Sequence, residues 1–175
     1  MTVIEELLDI VDQYDQVIGQ KYRSEVYAQN LSNFRVINAF LINDNKEIWI
    51  PRRSFRKKLF PLCLDASVGG HVAAGETYDQ AFARELQEEL NLNISQISHR
   101  LLTKLTPHQH GVSAFMHFYL IFTNQTPAYN TDDFVSAAWY PIAELQKLVA
   151  AGEPMKGDLP ALIKFLSEFH PNIMD

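Results

Sequence analysis

The sequence predicts an α/β (α+β) fold in which a mixed β-sheet is sandwiched between helices and preceded by a β-hairpin. Three observations predict it. Apolar, β-rich runs separated by turn signals recur from Leu8 to Tyr140. One amphipathic helical stretch interrupts those runs between Thr77 and Asn91, and two further helical patterns follow the last of them. Strands that surround one helix and precede two more bury their apolar surface when the helices cover both faces of one sheet. The 175 residues are enough for one domain with a sizeable core.

In chain order, Leu8–Asp12 and Val17–Lys21 read as an N-terminal hairpin (about residues 8–21) around the polar turn Gln13–Gln16. Arg23–Tyr27 reads as a short helix or an irregular turn. Arg35–Ile42 is a strand, Asn43–Lys46 a strong turn and Glu47–Arg52 the returning strand. Pro51 is expected to close that hairpin or lie at an edge, because proline donates no ladder bond. Leu64–Val72 is extended. Thr77 followed by Gln80 is a capping-box pattern, so a helix starts after Thr77. Arg100–Leu105 is a strand, Pro107–Gly111 a loop, and the near-continuously apolar Ala114–Thr123 a buried strand whose aromatics belong to the core. Ala137–Tyr140 is a short strand, and Pro141 opens a helix from its first turn. Gly152–Gly157 separates it from a last helix, Asp158–Phe169, with Leu159, Leu162, Ile163 and Leu166 on one side.

The chemistry concentrates on the helix after Thr77. With ~100° per residue and Glu85 at zero, Glu88 falls near ~300° and Glu89 near ~40°. The three carboxylates share one face, while Phe82, Leu86 and Leu90 form a neighbouring apolar stripe suited to a core. Like charges at this spacing destabilise an isolated helix, and a hard divalent cation reverses the sign of that effect. A solvated acidic face is the bland alternative. Upstream, Gly69-Gly70 permits close backbone approach, Glu76 adds a fourth carboxylate, and Arg84 is one turn from Glu88 and free to pair with it or with Glu76.

Gly70, Glu76, Arg84-Glu85-Leu86, Glu88-Glu89 and Asn91-Leu92 together resemble the Nudix box, spanning residues 70–92. One position departs: the family usually has Gly where this chain has Asn91. That position ends the helix in a left-handed conformation, for which Asn is the next-best residue. The resemblance implies a single Nudix domain over residues 1–175 that hydrolyses a diphosphate bond in a nucleoside diphosphate-linked or related small molecule. It implies Mg²⁺, with Mn²⁺ as an alternative, held by Glu85, Glu88, Glu89 and the backbone near Gly70. Glu88 or Glu89 would polarise the water. Arg84 belongs to the catalytic set as an orienting residue, with Glu76 beside it or ligating a further metal.

Three smaller features bear on substrate. Arg52–Lys58 is the one basic cluster of an acidic chain, and Arg52 or Arg53 is expected to contact the diphosphate. His71 is either structural or a neutral ring that ligates metal or touches phosphate. His108 and His110 lack a nearby third ligand and read as part of a solvent-facing or substrate-lining loop.

The stretch Asp9–Leu92 also resembles the Nudix branch that includes isopentenyl-diphosphate isomerase, through Asp9-Ile10-Val11-Asp12, Val17-Ile18-Gly19, Arg52-Arg53 and Ser67–His71. The isomerase places a catalytic cysteine before its Gly-His pair, where this chain has Gly69, and metal-binding histidines upstream of the box, where this chain has none. Isomerisation is thus the weaker alternative. So is a non-catalytic nucleotide-binding module, because such modules lose box glutamates that this chain keeps.

Composition sets the remaining bounds. A net charge of -6 argues against duplex nucleic-acid binding. One cysteine, Cys63, permits no internal disulfide and no cysteine-based metal cluster, which fits a cytoplasmic location. The acidic start MTVIEELLDIVD lacks the basic region of a signal peptide, and no apolar run approaches the ~20 residues that span a bilayer. The N-terminal hairpin is free to pair across a homodimer, though nothing in the sequence requires it.

Overall fold

The computed structural model describes residues 5–169 and residue 173; the first four residues of the acidic start lie outside them. A two-stranded antiparallel ribbon, β1 (Leu7–Val11) and β2 (Val17–Tyr22), comes first. A short helix α1 (Arg23–Ala28) follows. The main sheet is built around β3 (Arg35–Ile42). On one side β3 runs parallel to β7 (Phe115–Phe122), which pairs antiparallel with β6 (Ser98–Leu105). On its other side β3 is shared. Its C-terminal end pairs with β4 (Glu47–Arg53) at Leu41 and Ile42, and its N-terminal half pairs with β5 (Val68–His71) from Val36 to Ala39. The outer partner of β4 is β8 (Phe134–Pro141).

β3 reads as almost continuous apolar sequence because both its faces are covered. Ile37, Ala39 and Leu41 point to one layer with Phe82, Leu86 and Leu90 of α2 (Tyr78–Leu90). Phe40 and Ile42 point to the other, with Leu145 of α4 (Ile142–Ala150) and Leu162, Ile163 and Leu166 of α5 (Leu159–Phe169). β7 alternates the same way, Tyr119 and Ile121 toward α2, Phe118 and Leu120 toward α4 and α5. The predicted mixed sheet between helices is therefore present, as are the hairpin and the last helix with its four predicted buried residues.

Three local expectations change. Pro51 lies inside β4, which is not an edge strand. It is tolerated because β4 parts from β3 after Trp49. The Pro51 carbonyl accepts from Asp65 N at 3.0 Å, so the missing N–H faces the side that β3 has already left. Pro107–Gly111 is a single helical turn, α3 (Pro107–His110), with Thr106 before it and Gly111 left-handed at φ 66° after it. β8 begins at Phe134, three residues before the predicted strand, and Pro141 caps α4 from outside.

The separation of β4 from β3 is what makes room for the site. Into that gap comes β5 with Gly69 and Gly70, directly under α2.

Candidate active site

α2 is fixed at both ends by its own sequence. Thr77 Oγ1 accepts from Gln80 N at 3.2 Å, and Gln80 Oε1 accepts from Thr77 N at 2.9 Å. At the other end Asn91 is left-handed, φ 55°, and its side-chain amide donates to Ala128 O at 2.6 Å. Phe82, Leu86 and Leu90 are fully buried, each stabilising the docked helix by about 2 kcal/mol. That burial sets the rotation of the helix, and the rotation sends the glutamates toward β5.

The three carboxylates end in different environments. Glu89 is buried, and among the described residues its carboxylate accepts one hydrogen bond, from Gly69 N at 3.1 Å. Burial pushes its carboxyl well above the usual range, and the nearby Glu85 and Asp65 charges add to that. Glu85, 12% exposed, is raised by burial to about 7 in spite of its contact with Arg84 at 2.7 Å. Glu88 is 59% exposed and holds Arg84 at 3.4 Å. Gly70 is required beneath them. A Cβ there would overlap the carboxylate and Cγ of Glu85, and β5 cannot retreat because Gly70 pairs with the buried Ile37.

Arg84 ties this group together. It grips both oxygens of Glu76 at 2.9 Å, donates to His71 O at 3.0 Å and reaches Glu85 and Glu88. The bonds to Glu76, ahead of burial, hold the guanidinium firmly charged. Burial alone would raise Glu76, but the bonds from Arg84 and Ala73 N bring it below the ordinary value. Arg84 thus orients carboxylates, and its guanidinium is fully engaged in doing so.

Among the described residues no three acidic, histidine or cysteine side chains already converge as a metal cage. The donors nevertheless fit a hard divalent ion. Two buried carboxylates repel each other, one holds a single hydrogen bond, and a third lies exposed beside them. Carboxylate oxygens with room for water are what Mg²⁺ takes. Glu85, Glu88, Glu89 and the Gly70 backbone are the residues able to hold it.

These groups line a cavity of about 370 Å³. His71 also lines it. Its ring bonds the Tyr27 hydroxyl at 3.0 Å, lies 3.4 Å from Glu6 and is held neutral, with burial lowering it to about 3. The two expected diphosphate contacts diverge. Arg52 is not among the lining residues; it bonds Glu153 at 2.8 Å and Leu62 O at 2.8 Å. Arg53 does line the cavity, but it is buried and bonds Asp65 at 2.6 Å and the carbonyls of Leu59 and Phe60. His108 and His110 are not lining residues; His110 Nδ1 accepts from Thr106 N at 2.9 Å.

Sequence reasoning missed several lining residues, among them Tyr27, Phe34, Asn38 and Lys156. Lys57 lay inside the basic cluster, which was the available signal; it pairs with Asp133. Lys156 stands alone between Gly152 and Gly157 and carries no local signal.

Known proteins place the chain. A model of the NUDIX domain matches residues 33–159. The chain is 52% identical over 167 residues to an uncharacterized Nudix hydrolase of Nostoc sp., covering 95% of this chain and 97% of that protein. A crystal structure of a Deinococcus radiodurans protein, 44% identical, matches with a TM-score of 0.86 over 91% of this chain and 98% of that one. An isopentenyl-diphosphate Delta-isomerase of Klebsiella pneumoniae is 33% identical over 91 residues, 51% of this chain and 48% of the isomerase, which is the branch likeness seen in the sequence. Motif, backbone and relatives converge, and the chain belongs to the Nudix hydrolase family.

Proposed function

We propose that the chain is a Mg²⁺-dependent hydrolase, with Mn²⁺ as an alternative ion, of a diphosphate bond in a nucleoside diphosphate-linked or related small molecule. One observation carries this reading: Glu85, Glu88 and Glu89 meet the Gly69–Gly70 backbone in the wall of a cavity large enough for a small ligand. When bound, the ion supplies neutralisation of phosphate oxygens and a more acidic water. Glu85 and Glu89 would hold it, and Gly70 leaves Glu85 the space to do so. Glu88, the most exposed and least engaged of the three, is free to accept a proton from water; Glu89 is the other residue able to do so. Arg84 and Glu76 keep the carboxylates in register. Tyr27, Phe34 and Phe60 add aromatic surface to the cavity, which suits a planar base.

The same reading takes residues 1–175 as one domain. Asp9 of the hairpin accepts from Gly75 N at 2.9 Å, Leu8 bridges Ala73, and Asp15 pairs with Arg35 at 2.7 Å. The isomerase alternative finds no support at its key position. Gly69 there uses its N–H on Glu89, and Cys63 is not among the lining residues.

The test is a phosphate-release screen over nucleotide and isoprenoid diphosphates with Mg²⁺ or Mn²⁺ and an EDTA control. Metal-dependent turnover that disappears in Glu88→Gln and Glu89→Gln supports the reading. Undiminished turnover in both variants removes the metal assignment.

A further inference from the structure

Among the described residues five cationic side chains line the cavity: Arg23, Arg53, Lys57, Arg84 and Lys156. Four have other work. Arg84 is saturated by Glu76, Glu85, Glu88 and His71 O. Arg53 is buried among Asp65 and two loop carbonyls. Lys57 holds Asp133. Arg23, 44% exposed, sits beside Glu6 at 3.7 Å and over the Tyr27 ring.

Lys156 differs from all of them. Its Nζ lies 3.3 Å from Asp65 Oδ2, but that same oxygen accepts from Arg53 at 2.6 Å. The other Asp65 oxygen accepts from Ala66 N at 2.8 Å. One buried carboxylate oxygen therefore faces two cations, and Lys156, at the longer distance and 32% exposed, is the more loosely held of the two. Asp158, in the same loop, turns its two carboxylate oxygens to Ser113 N at 2.9 Å and Ser113 Oγ at 2.6 Å rather than to Lys156.

The backbone that presents Lys156 is fixed. Lys156 N donates to Leu64 O at 2.8 Å, Leu64 N donates to Pro154 O at 2.9 Å, and Leu159 N donates to Lys156 O at 2.9 Å. Met155 forms a parallel bridge with Leu64. The loop is thus stitched onto the segment that carries Asp65, and only the flexible lysine stem, 32% exposed, is free to move. Its charge acts on Glu89 and His71, so it works on the same space as the carboxylates.

We propose that Lys156 is a substrate-positioning residue whose ammonium leaves Asp65 to Arg53 and binds an oxygen of the substrate's diphosphate. An ammonium on a four-carbon stem suits this role: it carries three rotatable donors and needs no planar partner. Because Arg53 still neutralises Asp65 after the transfer, the swing leaves no buried charge unpaired. The proposal rests on the hydrolase reading above and names the protein group that meets the diphosphate apart from the metal-bearing carboxylates.

The experiment titrates the full chain with imidodiphosphate, a diphosphate with a non-hydrolysable P–N–P link, in Mg²⁺ by calorimetry. Lys156→Met keeps the aliphatic stem and removes the charge; Lys156→Gln is the second variant should the first misfold. Both are expected to weaken Kd by about tenfold to a hundredfold. Melting temperature should stay at the wild-type value, and the wild-type Kd should rise more steeply with NaCl than that of either variant. Lys156→Arg should recover most of the binding. In turnover the loss belongs in KM more than in kcat, because the contact forms in the ground state. Binding within twofold of wild type in both variants overturns the proposal. So does a loss that Lys156→Arg leaves unrescued and that tracks a fall in melting temperature, since that marks a strut. If the wild type itself binds no imidodiphosphate in Mg²⁺ yet turns over a substrate in the phosphate-release screen, the proposal falls and the hydrolase reading stands; if it does neither, both fall.

Discussion

Replacing Gly70 by alanine tests the site where it is most constrained. The added methyl would overlap Glu85 at its carboxylate and at Cγ, 2.7 Å away. Neither backbone can yield: β5 is paired to β3, and α2 is pinned by three fully buried side chains. Glu85 must therefore leave its rotamer, at about 0.5–1.5 kcal/mol. It also gives up its bond to Arg84, worth about 0.5–1.5 kcal/mol. The sum, about 1–3 kcal/mol, lowers the melting temperature by roughly 2–12 °C in a domain of this size. The fold survives, but one carboxylate of the proposed metal site is displaced. The apparent Mg²⁺ constant for turnover should rise at least ~100-fold, beyond the usual effect of losing an outer-sphere partner. The assay is turnover against Mg²⁺ concentration, with melting curves alongside. Gly157→Ala is the control, because nothing lies within 4 Å of a Cβ at that position. If Gly70→Ala kept both wild-type turnover and Mg²⁺ dependence, the packing of Glu85 on β5 would have no part in metal binding.

Other outcomes follow from the same geometry. Glu89→Gln replaces a carboxyl whose ionisation burial, helped by Glu85 and Asp65, disfavours; it should abolish turnover yet raise the melting temperature by about 2–4 °C, read in one thermal melt at pH 8 without metal. Arg84→Met strips the partner shared by Glu76, Glu85 and Glu88; unfolding free energy in urea should fall by about 2–4 kcal/mol, with Mg²⁺ restoring part of it. His117 stacks on Tyr78 at 3.6 Å, and burial, helped by Lys104, lowers it to about 4. The unfolded ring titrates near ~6.5, so between these values the unfolded chain binds more protons. The stability from this neutral ring is complete above pH ~6.5 and is lost as pH falls toward 4. Its partial exposure discounts the effect to about 1–2 kcal/mol. His117→Phe should lose less stability than wild type between pH 7 and 4.5; equal losses would show that His117 does not titrate in this window.

What the sequence made legible was local. The limits of α2 are written in Thr77, Gln80 and Asn91, and its rotation in the spacing of Phe82, Leu86 and Leu90. Even the departure at Asn91 reads correctly, because the left-handed position tolerates Asn. The charges were harder. Arg52 and Arg53 are neighbours in one basic run, yet one turns to Glu153, 101 positions away, and the other into a buried pair with Asp65. Alternation along a strand puts them on opposite faces, and only the tertiary fold decides which anion waits on each. Pro51 was misplaced for a related reason: whether an interior strand tolerates proline depends on where its neighbour ends. Lys156 was invisible because its significance lies in the surplus of cations around Asp65, a property of three separate segments.

The parallel pairing of β3 with β7 has a consequence in time. Arg35 waits for Phe115, about 80 residues later. At ribosomal speeds of about 5–20 residues per second, that gap is about 4–16 s of synthesis. During it α2 is already made, but a 13-residue helix with clustered glutamates is marginal alone. The surface that holds it draws on Tyr119 and Ile121 of the missing strand. The acidic helix therefore remains marginal until the sheet closes, and on the proposed metal reading a nascent chain should gain affinity for divalent ions late and in one step.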